Sequence, residues 1–230
     1  MTQKIEILEL QLLGNFRFPG NGSDLRRSIT AIFKDNPVFH NHEPDGKSSL
    51  SAPQIRYIVD QGKAKLVSLL EGNHELNRLY EAFEERAVTL DVQGERFPIE
   101  ETVLITRMAK IGADNDGMYQ YRSISPWLAL NDKNSKKYYL LPESKKKNFL
   151  SKIFTANTIS LAKANQLWVD VPVYAQILSF TEVPVKSGQI HMLGFYCNVR
   201  TNFILDSVLG LGKMVSKGFG RFEIDRTNEK

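Results

Sequence analysis

The stretch Gly210-Leu211-Gly212-Lys213-Met214-Val215-Ser216-Lys217-Gly218-Phe219-Gly220 holds two Gly-x-Gly pairs around five residues, with a lysine at each end of the five and Arg221 directly after. Glycine lets backbone N–H groups approach an oxyanion closely, in conformations barred to other residues. A lysine beside such a loop adds a point charge for phosphate. The pattern is not a P-loop, because Gly212-Lys213 is followed by Met214 where Ser or Thr would hold magnesium. Too little chain follows it for the helix and strand of a dinucleotide-binding unit. The other reading open to it is a glycine-rich hairpin.

The second group that can do chemistry is Phe39-His40-Asn41-His42, with Lys47 close behind. Two histidines at i and i+2 on an extended chain point the same way, which suits a metal, yet no third ligand accompanies them. A general acid/base needs a single imidazole that titrates near neutrality, so the pair reads better as one catalytic candidate and a neighbour. Two solvated loop histidines are the plain alternative. Cys197, the one cysteine, lies in the apolar run Phe195-Tyr196-Cys197-Asn198-Val199 and reads as a buried small residue, not a nucleophile. Lys145, Lys146, Lys147 and Lys152 surround the apolar stripe of a long helix. They form either a solvated face or a surface that tracks phosphates, and Tyr138, Tyr139 and Trp168 nearby offer rings for base stacking.

The elements that must position these groups follow from periodicity. Residues 4–12 alternate as a first strand, with a switch of the apolar positions from Ile5 and Ile7 to Leu8, Leu10 and Leu12 that predicts one irregularity. Ser23 is the expected cap of a helix carrying Leu25, Ile29, Ile32 and Phe33, with Arg26 and Arg27 near its start and off the apolar face. Residues 54–59 and 64–70 predict a hairpin, Leu76, Leu79, Tyr80 and Phe83 a second helix, and residues 88–92 the fourth strand. That order, β-α-β-β-α-β, is the split βαβ of a ferredoxin-like domain. Residues 112–117 suggest the boundary. The second half predicts a strand at 118–124, a long basic helix at 145–163, strands at 168–180 and 189–200, the glycine bracket and a last strand at 221–224. The fold class is therefore α+β, two tandem ferredoxin-like (RRM-like) domains with antiparallel sheets, over residues 1–112 and 113–230.

The chain has 230 residues, 42% hydrophobic and 24% charged, a net charge of +4 and a pI near 9.0, which permits an acidic partner. A single cysteine excludes an internal disulfide and a multi-cysteine zinc site. The beginning of the chain carries no apolar signal core, and no apolar run reaches the ~20 residues that span a bilayer. The expectation is a cytoplasmic protein with no membrane association.

The opening β-α unit followed by histidine, the ferredoxin-like order and the closing glycine bracket together resemble the CRISPR-associated endoribonucleases of the RAMP superfamily that process precursor crRNA. The resemblance covers nearly the whole chain. Its most specific part is Gly210-Leu211-Gly212 through Gly218-Phe219-Gly220, with a hydrophobic residue inside each glycine pair. Phe39-His40-Asn41-His42, Ala52-Pro53-Gln54-Ile55-Arg56-Tyr57 and Ser125-Pro126-Trp127-Leu128-Ala129-Leu130 are similar to further family segments.

The resemblance implies RNA cleavage without a metal or other cofactor. The ribose 2′-hydroxyl attacks the adjacent phosphate, leaving a 2′,3′-cyclic phosphate and a 5′-hydroxyl. His40 is the first candidate for proton transfer, His42 the second, and Lys47 supplies positive charge with help from Arg26 or Arg27. The tyrosine that often accompanies the family histidine has no clear counterpart. Gly210, Gly212, Gly218 and Gly220 shape an RNA-binding loop with Lys213, Lys217 and Arg221 on phosphates, and Lys145 and Lys146 extend that surface. The implied partner is CRISPR repeat RNA of the precursor transcript, with a CRISPR effector complex as a further partner and a monomeric or homodimeric state. The alternative within the superfamily is a non-catalytic subunit that holds crRNA.

Overall fold

In the computed structural model, residues 2–33, 53–70, 72–85 and 87–225 are described. The first half runs β1 (Thr2–Leu13), α1 (Gly22–Ile32), β2 (Ile55–Asp60), β3 (Lys63–Leu69), α2 (Gly72–Glu85), β4 (Val88–Val92), β5 (Glu95–Ile99) and β6 (Glu101–Ala113). The second half continues with β7 (Tyr119–Ser123), α3 (Asp132–Tyr139), α4 (Glu143–Ala164), β8 (Ala175–Ser187), β9 (Ile190–Thr201), β10 (Phe203–Ile204), a 3-10 turn (Val215–Lys217) and β11 (Phe222–Ile224).

The first sheet has the order β6-β1-β3-β2, with β10 pairing the last two residues of β6. This is the ferredoxin-like order, with one reassignment. Residues 88–92 do not supply the fourth strand. They fold back on β5 in a separate two-stranded sheet, and β6 takes the place beside β1. The cause is local: Gln93 and Gly94 both take positive φ, 56° and 89°, the geometry of a tight hairpin turn that returns a five-residue strand on itself. Gln61 and Gly62 do the same, at 50° and 80°, between β2 and β3.

Against β3, Ile7 through Leu12 run in unbroken register, without the expected irregularity. The switch in apolar positions arises because β1 is buried on both faces. Leu8, Leu10 and Leu12 join the core with Leu25 and Ile29 of α1 and Leu76 and Leu79 of α2. Ile5 and Ile7 are buried on the other face, as is Glu9, which accepts from Lys65 Nζ at 2.9 Å and Arg107 Nε at 2.7 Å. Burial pushes the Glu9 carboxyl up, but these two cations outweigh it and hold the group below the usual carboxylate range. Asn21, not Ser23, caps α1: its side chain accepts from Ser23 N while Asp24 accepts from Asn21 N, a capping box.

The second sheet has the order β11-β7-β9-β8. With α4 as the first crossover, it repeats the arrangement of the first half, and the glycine bracket stands where the second helix would be. Trp127, fully buried, centres this core against Phe154, Phe195 and Phe222 at ring separations of 5.5, 6.2 and 6.2 Å. Its indole N–H donates to Asn157 Oδ1 at 3.1 Å. Cys197 is buried in β9, and burial pushes its thiol up to about 12, so it is an inert core residue.

The stretch before α4 holds a helix the periodicity did not show. Asn131 caps α3 by accepting from Asn134 N at 2.8 Å, and Pro142 separates it from α4. The strand expected from residue 168 begins only at Ala175, leaving Trp168 84% exposed. Compactness divides the chain into one unit of Ile5–Ala109 with Ser216–Gly218, and another containing Lys110–Val215 and the residues from Phe219 on. The tip of the glycine bracket thus groups with the N-terminal unit.

Candidate nucleic-acid interface

The root of the glycine bracket is a backbone pinch. Leu211 N donates to Gly220 O at 2.8 Å, Gly220 N to Pro126 O at 2.9 Å and Lys213 N to Leu128 O at 3.0 Å. A Cβ on Gly220 would lie 1.9 Å from Leu211 O, and its φ of +70° is one that other residues rarely adopt. A Cβ on Gly210 would lie 2.7 Å from Phe219 O, and one on Gly212 2.6 Å from Leu128 O. The paired glycines therefore let two chain segments close on each other and on the Ser125-Pro126-Trp127-Leu128 segment. These three N–H groups are engaged within the protein. Arg221 extends the same root: it is buried, its backbone N–H donates to Ser125 Oγ at 2.9 Å and its Nε to Ser207 O at 3.2 Å.

The tip differs. Within the N-terminal unit, the backbone of Lys217 and Gly218 meets the first residue of α1 and the middle of β2. A Cβ on Gly22 would lie 2.2 Å from Tyr57 O and 2.3 Å from Lys217 O, so only glycine fits there. This approach sets Lys217 beside Arg26 and Arg27. Burial, and after it the two guanidinium groups, hold the Lys217 ammonium below the ordinary lysine range. Arg26 also faces Tyr57, whose phenol burial pushes up while Arg26 partly offsets the shift. Arg27 is the most open member and pairs with Asp24 at 3.2 Å. Lys217 together with Arg26 and Arg27 therefore presents positive charge of the kind that suits a polyanion.

The remaining sequence candidates are spread more widely. Lys213 stands at the root, 3.7 Å from Asp132 on exposed side chains, a weak pair. Lys145 is exposed on the first turn of α4. Lys146 is bound to Glu143, lies 3.4 Å from Glu182 and sits 4.9 Å over the Tyr138 ring. Tyr138 is buried and donates to Glu182 at 2.6 Å, whereas Tyr139 is 64% exposed. His40, His42 and Lys47 lie outside the described residues. Among the described residues no three His, Cys, Asp or Glu side chains gather as metal ligands, and no helix is long and apolar enough to cross a membrane. Sequence reasoning missed Gly22, which reads as one more turn glycine in Phe18-Pro19-Gly20-Asn21-Gly22. Its contact partner Lys217 is too far along the chain for any local pattern to show.

Comparisons with known proteins match both halves. A family model described as the Cas6b N-terminal domain matches residues 3–107, and one described as the Cas6b C-terminal domain matches residues 114–224. A crystal structure of Cas6b superposes with a TM-score of 0.84 at 25% identity, covering 97% of this chain and 100% of that one. A second structure, of the CRISPR RNA processing endoribonuclease Cas6b, gives 0.73 at 22% identity, with 97% and 100% covered. An uncharacterized protein of Methanocaldococcus jannaschii is 34% identical over 131 residues, 57% of this chain and 88% of the relative.

Proposed function

Because the chain belongs to the Cas6b family, we propose that it is an endoribonuclease that cuts CRISPR repeat RNA in the precursor transcript to give guide crRNAs. The observation that carries this reading is the seating of the bracket tip, through the Lys217 backbone, against Gly22 at the start of α1, the helix that carries Arg26 and Arg27, which gathers positive charge suited to an RNA backbone. The reaction needs no metal. The ribose 2′-oxygen attacks the adjacent phosphorus as a base removes its proton, and the bond from phosphorus to the 5′-oxygen breaks. That oxygen takes a proton and leaves as a 5′-hydroxyl, with a 2′,3′-cyclic phosphate behind. His40 is the first choice for proton transfer and His42 the second, because an imidazole titrates where both transfers occur. Lys47 supplies charge to the developing phosphorane. The loop tip with Arg26 and Arg27 holds phosphates, while sequence is read on unstacked bases.

The test is cleavage of a CRISPR repeat RNA in excess EDTA, with end-group analysis and a set of substrates carrying 2′-deoxyribose at single positions. Cutting that survives EDTA, ends in a cyclic phosphate and stops with one deoxy substitution supports the mechanism and maps the cut. Loss of cutting in EDTA contradicts the metal-free chemistry. Tight binding with no cutting under any condition replaces the enzyme with a subunit that holds crRNA.

A further inference from the structure

A cleft of about 610 Å³ opens within the C-terminal unit, between α3, the β8–β9 hairpin and the root of the glycine bracket. That volume lies within the ~300–1,000 Å³ of small-ligand sites. Pro184 of β8 and the facing Leu193 of β9, paired across the hairpin, give it apolar lining. Tyr139 lines one side. It is 64% exposed, but its ring stands edge-on to Tyr138 at 6.0 Å, and Tyr138 is itself buried against Phe195 at 5.4 Å. An open aromatic face is thus mounted on a fixed base. Two carboxylates line the cleft, and each already has an ammonium beside it: Asp132 has Lys213 at 3.7 Å and Glu182 has Lys146 at 3.4 Å. Because Lys146 is shared with Glu143, the cleft carries no surplus of positive charge and suits a base better than a free polyphosphate. Lys213 stands in it as an exposed cation whose weak partner a phosphate can replace.

We propose that this cleft receives one unstacked nucleotide of the bound repeat RNA, its base on Tyr139 beside Pro184 and Leu193 and its phosphate on Lys213. The inference rests on the RNA-binding reading above and deepens it: the cleft is a specificity site for a single-stranded position. Lys213 belongs to the same bracket as Lys217, which ties the cleft to RNA rather than to a free metabolite. Base stacking on an aromatic side chain contributes ~1–3 kcal/mol, equivalent to about 5- to 150-fold in affinity.

The test uses the repeat RNA with 2′-deoxyribose at the mapped cleavage site, so that binding is read without cutting. Each unpaired nucleotide is made abasic in turn, and affinity is measured by fluorescence anisotropy for the wild type, Tyr139→Ala and Tyr139→Trp. At one position the abasic RNA should bind the wild type at least fivefold more weakly. Tyr139→Ala should lose a similar factor on intact RNA and nothing further at that position, and Tyr139→Trp should restore the dependence on the base. If the wild type binds the RNA but no abasic position is coupled to Tyr139, the cleft is not a base site and the inference is overturned alone. If the wild type does not bind repeat RNA, this inference and the endoribonuclease reading fall together.

Discussion

The two halves of the chain have the same strand order but join their third and fourth strands differently. In the first half the connection contains α2, whose Leu76, Leu79 and Phe83 are buried in the shared core. In the second half it contains the glycine bracket, whose root closes through main-chain contacts and whose tip carries Lys217 to the start of α1. A helix in this place contributes buried area. The glycine bracket buries Leu211 at its root and brings the Lys217 backbone to the start of α1, so under the proposed RNA-binding reading the same topology is used once for stability and once for recognition.

Substitutions that separate these two uses sharpen the comparison. Leu76→Ala in α2 should cost about 2–5 kcal/mol, from lost transfer energy and a cavity. Chemical denaturation measures this, and RNA affinity well below the melting temperature should be unchanged. Gly220→Ala should cost about 2–4 kcal/mol, because a Cβ 1.9 Å from Leu211 O forces the pinch apart at a positive φ. Unlike Leu76→Ala, it should also weaken RNA binding at least tenfold. Gly94→Ala in the β4–β5 turn is its control: φ there is +89°, but a Cβ meets nothing within 4 Å. It should cost only about 1 kcal/mol and leave binding alone.

Lys217→Ala should weaken RNA binding about three- to tenfold and reduce the slope of log affinity against log salt by about 1. It should not lower the melting temperature of the free protein, since burial, and after it Arg26 and Arg27, disfavour the charged form of this lysine in the fold. The smallest effect is on pH dependence. A bound phosphate raises the Lys217 pKa above its depressed value in the free protein. The contribution of Lys217 to affinity is therefore complete below the free-protein pKa and lost as pH rises from that value to the bound one. On an uncleavable 2′-deoxy substrate, affinity should decline at a lower pH for the wild type than for Lys217→Arg.

Much of this was legible in the chain itself. The β-α-β-β-α opening of the first half, the two-domain ferredoxin-like class and the burial of Cys197 follow from periodicity and composition. The glycine bracket was visible as a pattern, but not its division into a self-satisfied root and a charged tip, because that depends on Pro126, Leu128 and Tyr57, all distant in sequence. Residues 88–92 alternate as well as any central strand. Only the competing Gln93-Gly94 turn and the longer β6 remove them from the main sheet. The helix α3 was hidden in a lysine-rich run with no long apolar stripe, where its capping residue Asn131 was the one local sign. The cleft beside it joins residues from four separate stretches, so no window of sequence could show it.

The proposed division of labour puts RNA binding on the glycine-loop tip with Arg26 and Arg27, and chemistry in the histidine segment. Its most direct test is single-turnover cleavage of a CRISPR repeat RNA across protein concentrations, which separates affinity from the rate at saturation for Lys217→Ala, His40→Ala and His42→Ala. Lys217→Ala should need more protein to reach a rate close to the wild type's, and one histidine substitution should lower the saturated rate by at least a hundredfold, an expected ~10²–10⁴ for a general acid/base, with affinity kept. If both histidine variants cut at the wild-type rate, or if Lys217→Ala loses the saturated rate and keeps its affinity, that assignment is contradicted.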